Sequence, residues 1–148
     1  MALPDLDAAV GHSFGIDIDG NVINTVIEIS GLKLEQDVIE HKHNTIDGKY
    51  VVKKLPGRPK PGECTVTVGL TANKGLHDWH MKSAEGKMAA ARKGIAVLIY
   101  DYEGAVIKTI KLVGGWVKSW EIGGSLKAGD TSVLTEKITI PFEGIEVE

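Results

Sequence analysis

Cysteine is all but missing from this sequence. Cys64 is the single thiol in 148 residues, so no disulfide can form within the chain, and synthesis in a reducing cytoplasm is expected. Aromatic residues make up only 5% and do not interleave with basic ones, which speaks against a base-stacking surface for nucleic acid. Positive charge is not in excess either: 17 Lys plus Arg stand against 20 Asp plus Glu, for a formal net charge of −3. The whole chain therefore has no general electrostatic attraction to nucleic acid or anionic membrane. No apolar run approaches the length needed to span a bilayer. The start, MALPDLDAAVGHSFG, carries two aspartates, no early Lys or Arg and no continuous apolar stretch, so no secretory signal peptide is expected.

Catalytic signatures are absent as well. GLTANKG resembles a phosphate-binding loop only superficially, because Lys74 precedes Gly75 where a Walker loop needs Gly-Lys followed by Ser or Thr. The GG pairs at 114 and 123 do not extend to GxGxxG, no GxSxG occurs, and Cys64 has no recognisable catalytic neighbourhood. His41 with His43 would share one side of a strand, and His77 with His80 one face of a helix, but neither pair has a third ligand at a recognised spacing. The expectation is no catalytic residue, no cofactor and no metal.

What is present is β pattern over most of the length. Asp19-Gly20 suits a type I′ hairpin turn, whose two central residues need positive φ. Pairing Ile18 with Asn21 sets Ile16 opposite Ile23 and Phe14 opposite Thr25, which gathers Phe14, Ile16, Ile18, Ile23, Ile27 and Ile29 on one face. KLEQDVIEHKH reads as a long polar strand, YVVKKL as another, and CTVTVGL as a β-branched strand. Residues 73–92 change to helical spacing: Asn73 can N-cap, Leu76, Trp79, Met81, Ala84, Met88 and Ala91 follow, and Gly94 can end it. One helix is the economical reading, with Gly86 weakening its middle. Residues 95–113 form a hairpin turning near Glu103-Gly104, and its first strand is apolar on both faces, which calls for packing layers on both sides. SVLTEKITIPF reads as the last strand, with Glu136 interrupting its alternation. Trp79 is expected in the core. For Trp116 and Trp120 core, interface rim and carbohydrate platform all remain, with core the default for large aromatics. The sum is a single domain over residues 1–148, α+β and mainly antiparallel: about seven strands around one helix.

One stretch is unlike the rest. HNTIDGKYVVKKLPGRPKPGE, residues 43–63, gathers Lys49, Lys53, Lys54, Arg58 and Lys60 with three prolines, and has no acid between Asp47 and Glu63. Prolines disfavour a regular central strand, so the segment is read as a loop or arm.

Taken in order, FGIDIDG, EISGL, DVIEHKHN, KLPGRPKPGECTVTVGLT, LHDWH and EGIE resemble the tail tube proteins of contractile phages and related injection systems. The resemblance covers nearly the whole chain; His80 departs from it, standing where an aromatic is common. By motif it carries over Gly20 in the first hairpin, Gly31-Leu32, Leu55-Pro56-Gly57, and Leu76, Asp78 and Trp79 as structural positions. It implies a β-sandwich or barrel-like protomer with a helix, closing in sixes into rings that stack as the inner tube of a contractile machine. Copies of itself, a contractile sheath protein, baseplate or hub and tube-terminator proteins, and a lumen cargo of effector protein or DNA are the implied partners. A location in an assembled tail or particle, inside the cell or released from it, follows from the same resemblance. The basic residues Lys49, Lys53, Lys54, Arg58 and Lys60 would then touch a neighbouring subunit, with EQDVIE and the acidic tail EGIEVE as counter-charges. The tube of type VI secretion shares this architecture and is the nearest alternative; a small ligand-binding β-barrel is a second.

Overall fold

A computed structural model describes residues 13–23, 26–71, 74–123, 126–129 and 133–148. The first hairpin follows from its turn. Asp19 (φ 54°) and Gly20 (φ 88°) both take the positive φ of a type I′ turn. They join β1 (Phe14–Ile18) to β2 (Asn21–Ile23) with Ile16 opposite Ile23 and Ile18 opposite Asn21, in the register expected from sequence. The expected partner of Phe14, Thr25, lies outside the described residues.

The chain then changes sheet. β3 (Val26–Ser30) pairs with β6 (Glu63–Gly69), and a bulge between Val26 and Glu28 resets its alternation. Val26 and Ile29 pack against the core while Ile27 is exposed, so Ile27 does not share the face of Ile29 as the uninterrupted pattern suggested. Gly31 follows with φ 83°, and a Cβ there would collide with the backbone carbonyl of Glu63. The SGL motif is thus a close backbone crossing. Gly31→Ala is expected to lose on the order of 1–3 kcal/mol from the backbone conformation alone, with the collision added, as an equilibrium urea titration would show.

Two sheets enclose the core. One has the order β11-β8-β7-β1-β2 and the other β3-β6-β10-β9, where β7 is Ile95–Tyr100, β8 Val106–Val113, β9 Ser119–Gly123, β10 Thr135–Pro141 and β11 Gly144–Val147. Every pairing among the described residues is antiparallel. Ile16, Ile18, Ile95 and Leu112 from the first sheet meet Cys64, Val66, Val68, Ile138 and Ile140 from the second in one cluster, closed by Trp79, Val117 and Phe142. The turn between β7 and β8 is tied by Asp101, whose Oδ1 accepts from the backbone N–H of Glu103 and of Ala105, each at 2.9 Å.

Two expectations need correction, and the break in alternation at Glu136 finds its reason. The acidic tail is a strand, β11, bonded along β8, so β10 is not the last. Glu136 lies on the inward face with Ile138 and Ile140, 4% exposed, because its Oε2 accepts from Trp120 Nε1 at 3.0 Å. The single helix is two: α1 (Gly75–Ala84) and α2 (Met88–Ala91). Gly86, at φ 79°, ends α1 in a Schellman arrangement, its N–H bonding the Ser83 carbonyl and that of Lys87 the Lys82 carbonyl. The N-cap position falls on Lys74; Asn73 is outside the described residues. α2 is held to α1 by Trp79, whose Nε1 donates to the Ala91 carbonyl.

Candidate assembly interface

The basic segment is not a loop. β4 (Glu35–Asn44) and β5 (Tyr50–Lys60) form a two-stranded ribbon that, among the described residues, pairs with no other strand. The register runs from Asn44 opposite Tyr50 back to Glu35 opposite Lys60. At the tip, Thr45 accepts through its carbonyl from the N–H of Gly48 and through its Oγ1 from the N–H of Lys49. Proline is tolerated because the ribbon has free edges on both sides, where a missing N–H breaks no ladder.

The KLPG motif has a local explanation. Gln36 faces Pro59 and Val38 faces Pro56, so Gly57 and Arg58 together oppose Asp37: a β-bulge with two residues against one. A Cβ on Gly57 would stand 2.8 Å from the Asp37 carbonyl oxygen. Glycine lets the strands close over the bulge, and Lys60 ties the same place by a 2.9 Å ion pair to Asp37. That pair and a further attraction to Glu35 raise the Lys60 pKa.

Beyond the bulge the ribbon has two distinct faces. Ile39, His41 and His43 share one with Leu55, Lys53 and Val51, while Val38, Glu40, Lys42 and Asn44 share the other with Pro56, Lys54, Val52 and Tyr50. Lys53 and Lys54 therefore point to opposite sides. Val38 (63%), Ile39 (54%), Tyr50 (63%) and Leu55 (42%) are all exposed. His41 and His43 lie with ring centroids 5.2 Å apart. Among the described residues no group of three or more His, Cys, Asp or Glu is placed to hold a metal.

The expected counter-charges are largely taken within the protomer. Glu35 pairs with Lys33 at 2.5 Å, Asp37 with Lys60, and Glu148 with Lys111 at 2.6 Å. Glu40 stands across from Lys54 in the ribbon. Of the motif residues elsewhere, Leu32 and Leu76 pack on the core and Trp79 is buried, whereas Asp78 is exposed in the first turn of α1, where a negative charge suits the helix dipole. Trp120 packs on the core and makes a T-shaped contact with the His77 ring, 4.9 Å between centroids.

The outward face of the four-stranded sheet carries Ser30, Thr65, Thr139 and Ser119 in one row across the strands. Glu28, Thr67, Lys137 and Glu121 make the next row. No aromatic side chain interrupts these rows, and sequence alternation alone did not single them out.

A family profile described as "T4-like virus tail tube protein gp19" matches residues 10–146. The chain belongs to this tail tube family. Among solved structures, its fold is similar to a chain in the extended-state sheath–tube complex of an extracellular contractile injection system, PVC. That match has TM-score 0.81 and 18% identity and covers 97% of this chain and 93% of the other. It is also similar to a chain of the sheath/tube terminator of the same system (TM-score 0.78, 17% identity, 98% and 99% covered). Hcp1 from Flavobacterium johnsoniae is less alike: TM-score 0.59, 17% identity, 91% and 94% covered. No match was found among curated protein sequences. Among the described residues no helix is long and apolar enough to cross a membrane.

Proposed function

We propose that this tail tube family member is a non-enzymatic building block: whole-chain protomers, 1–148, close in sixes into rings, and rings stack into the conduit that a contracting sheath drives through a target envelope. The β4–β5 ribbon is the observation that carries the reading. Its apolar side chains stand in water on both faces, and a patch of that kind marks a protein–protein contact. Another copy of the chain meets that need, and a ribbon that reaches a different patch on the next copy makes a head-to-tail contact, which propagates as a filament. Lys49, Lys53, Lys54, Arg58 and Lys60 are assigned to that contact.

The likeness to sheath–tube and terminator chains supports a sheath protein, a terminator and a baseplate as further partners. The stronger likeness to these chains than to Hcp1 favours a contractile tail or extracellular injection system over a type VI tube. The Ser30, Thr65, Thr139 and Ser119 row of the four-stranded sheet, with the charged row beside it, suits a lumen wall, since hydroxyl and charged side chains offer a passing cargo little apolar surface to adhere to. Light scattering over a concentration series at low salt, with electron microscopy, should show six-fold rings or tubes. A strictly monomeric mass throughout would refute the reading and favour a small ligand-binding barrel.

Cys64 gives an independent check on the protomer. Burial pushes its thiol up to about 11, from an ordinary value of 9.0. The folded state holds the proton more tightly than the unfolded state, so this contribution is complete below pH 9 and is lost as pH rises toward 11. Maleimide should fail to label the native protein at pH 7.5 and label it stoichiometrically in urea, and unfolding midpoints should fall above pH 9.

A further inference from the structure

The two free edges of the β4–β5 ribbon are not alike. At the tip, the N–H of Thr45 bonds the carbonyl of Lys49 at 2.8 Å. In an antiparallel pair, residues that exchange hydrogen bonds alternate with residues whose N–H and C=O point away from the partner strand. By that alternation Asn44, Lys42, Glu40 and Val38 turn their backbone groups outward from β4, and Tyr50, Val52, Lys54 and Pro56 turn theirs outward from β5. Pro56 therefore costs the ribbon no bond and takes a donor from the free edge of β5. The strand β4 is ten residues long and holds no proline, and residues 38–44 are all exposed. Idle edges are normally blunted, as that of β5 is, whereas an intact one accepts a further strand.

We propose that the open edge of β4 takes on β11 of a second copy, antiparallel, with Lys42 opposite Val147. The proposal rests on the tube reading above. β11 is itself the outer strand of its sheet. Thr109 and Glu148 exchange both backbone hydrogen bonds, so by the same alternation Ile145 and Val147 turn theirs outward. Side chains select this strand and this register. His43 then stands opposite Glu146 and His41 opposite Glu148, all on one face, with Lys53 beside His41. Each imidazole offers an N–H to a carboxylate. Lys111, across from Glu146, gives its ammonium to Glu148 at 2.6 Å, and among the described residues no ion pair holds Glu146. A slide of two residues either way leaves one His–Glu pair instead of two. The other outer strands fit less well: β2 has three residues, β3 is bulged, and the one acid of β9, Glu121, is paired with Lys137 at 3.8 Å. The edges of β4 and β11 are different patches of one protomer, so the contact is heterologous and passes from copy to copy.

The test uses the full chain and scores tube length by electron microscopy and folding by melting. Lys42→Pro removes an N–H from the open edge of β4, and Val52→Pro, directly across the ribbon, removes one from the edge of β5; neither N–H serves the ribbon itself. Lys42→Pro tubes should be at least several-fold shorter than wild type and Val52→Pro tubes of wild-type length, with both proteins folded. Wild-type length in Lys42→Pro overturns the proposal, and so does an equal loss in Val52→Pro. Should either proline unfold the chain, a disulfide decides. In the proposed register His43 and Glu146 do not exchange hydrogen bonds, which sets their Cα atoms about 4.5 Å apart, within the range a disulfide spans. His43→Cys/Glu146→Cys tubes oxidised with copper phenanthroline should give a ladder of linked subunits on a non-reducing gel, to which the buried Cys64 does not contribute. Intact tubes without the ladder refute the contact. A wild-type chain that forms no tube fails the underlying reading, and the contact with it.

Discussion

Charge reversal at Lys53 and Lys54 together is expected to leave the protomer folded and to abolish long tubes. Both side chains are exposed in β5, away from the core, where substitutions usually change stability by less than about 0.5 kcal/mol. A like charge introduced at an interface can cost several kcal/mol and is repeated at every subunit, so what remains of assembly should depend steeply on salt. The strand geometry sharpens the experiment. Lys53 and Lys54 face opposite ways, so Lys53→Glu and Lys54→Glu made singly report which face of the ribbon is covered. Lys54→Glu also sets two acids across from each other, with Glu40, at a cost of roughly 0.2–1 kcal/mol to the ribbon. Circular dichroism beside electron microscopy separates the outcomes: long tubes from the double variant mean the ribbon's charges lie in solvent, and a lost fold means they support the protomer.

The largest loss of stability is expected from Trp79→Ala. The indole is 2% exposed and belongs to the core cluster, and removing a large buried aromatic typically costs about 3–5 kcal/mol. It also withdraws the donor from the Ala91 carbonyl, which fastens α2 to α1. Against a typical total of roughly 5–15 kcal/mol, that leaves a protomer close to unfolding at ordinary temperature. Trp79→Phe retains most of the apolar volume and loses the N–H, so it should fall between the two. Denaturant titration measures all three; a change under about 1 kcal/mol in the alanine variant would show that Trp79 does not anchor the helices.

Local chemistry made much of the fold legible. Asp19-Gly20 fixed a hairpin register because one turn type needs two positive φ values, and Trp79 was readable because few large aromatics stay outside a core. Three features were not legible, for definite reasons. Proline at 56 and 59 argued against a strand, and that argument holds for a sheet interior but not for a ribbon with open edges. Glu136 broke an apolar alternation, and its partner Trp120 is sixteen positions away in sequence, joined to it only across the β9–β10 pair. Asp17 alternates with Ile16 and Ile18 in the first strand, and nothing short of its surroundings reveals an oxygen without a donor. The ordered motifs pointed to the family.

The ribbon's attachment has a mechanical consequence. β4 follows β3 after four residues and β5 runs into β6 after two, so both ribbon strands are covalent extensions of neighbouring strands in the four-stranded sheet. A pull or push on the ribbon tip is thus delivered along the backbone into β3 and β6. Antiparallel hydrogen bonds lie perpendicular to their strands, so such a load meets the β3–β6 and β6–β10 ladders in shear, with many bonds sharing the force at once instead of parting one after another. A rod assembled from such subunits would transmit an axial thrust through its strands, and its weakest point under load would be the contact between copies, not the protomer.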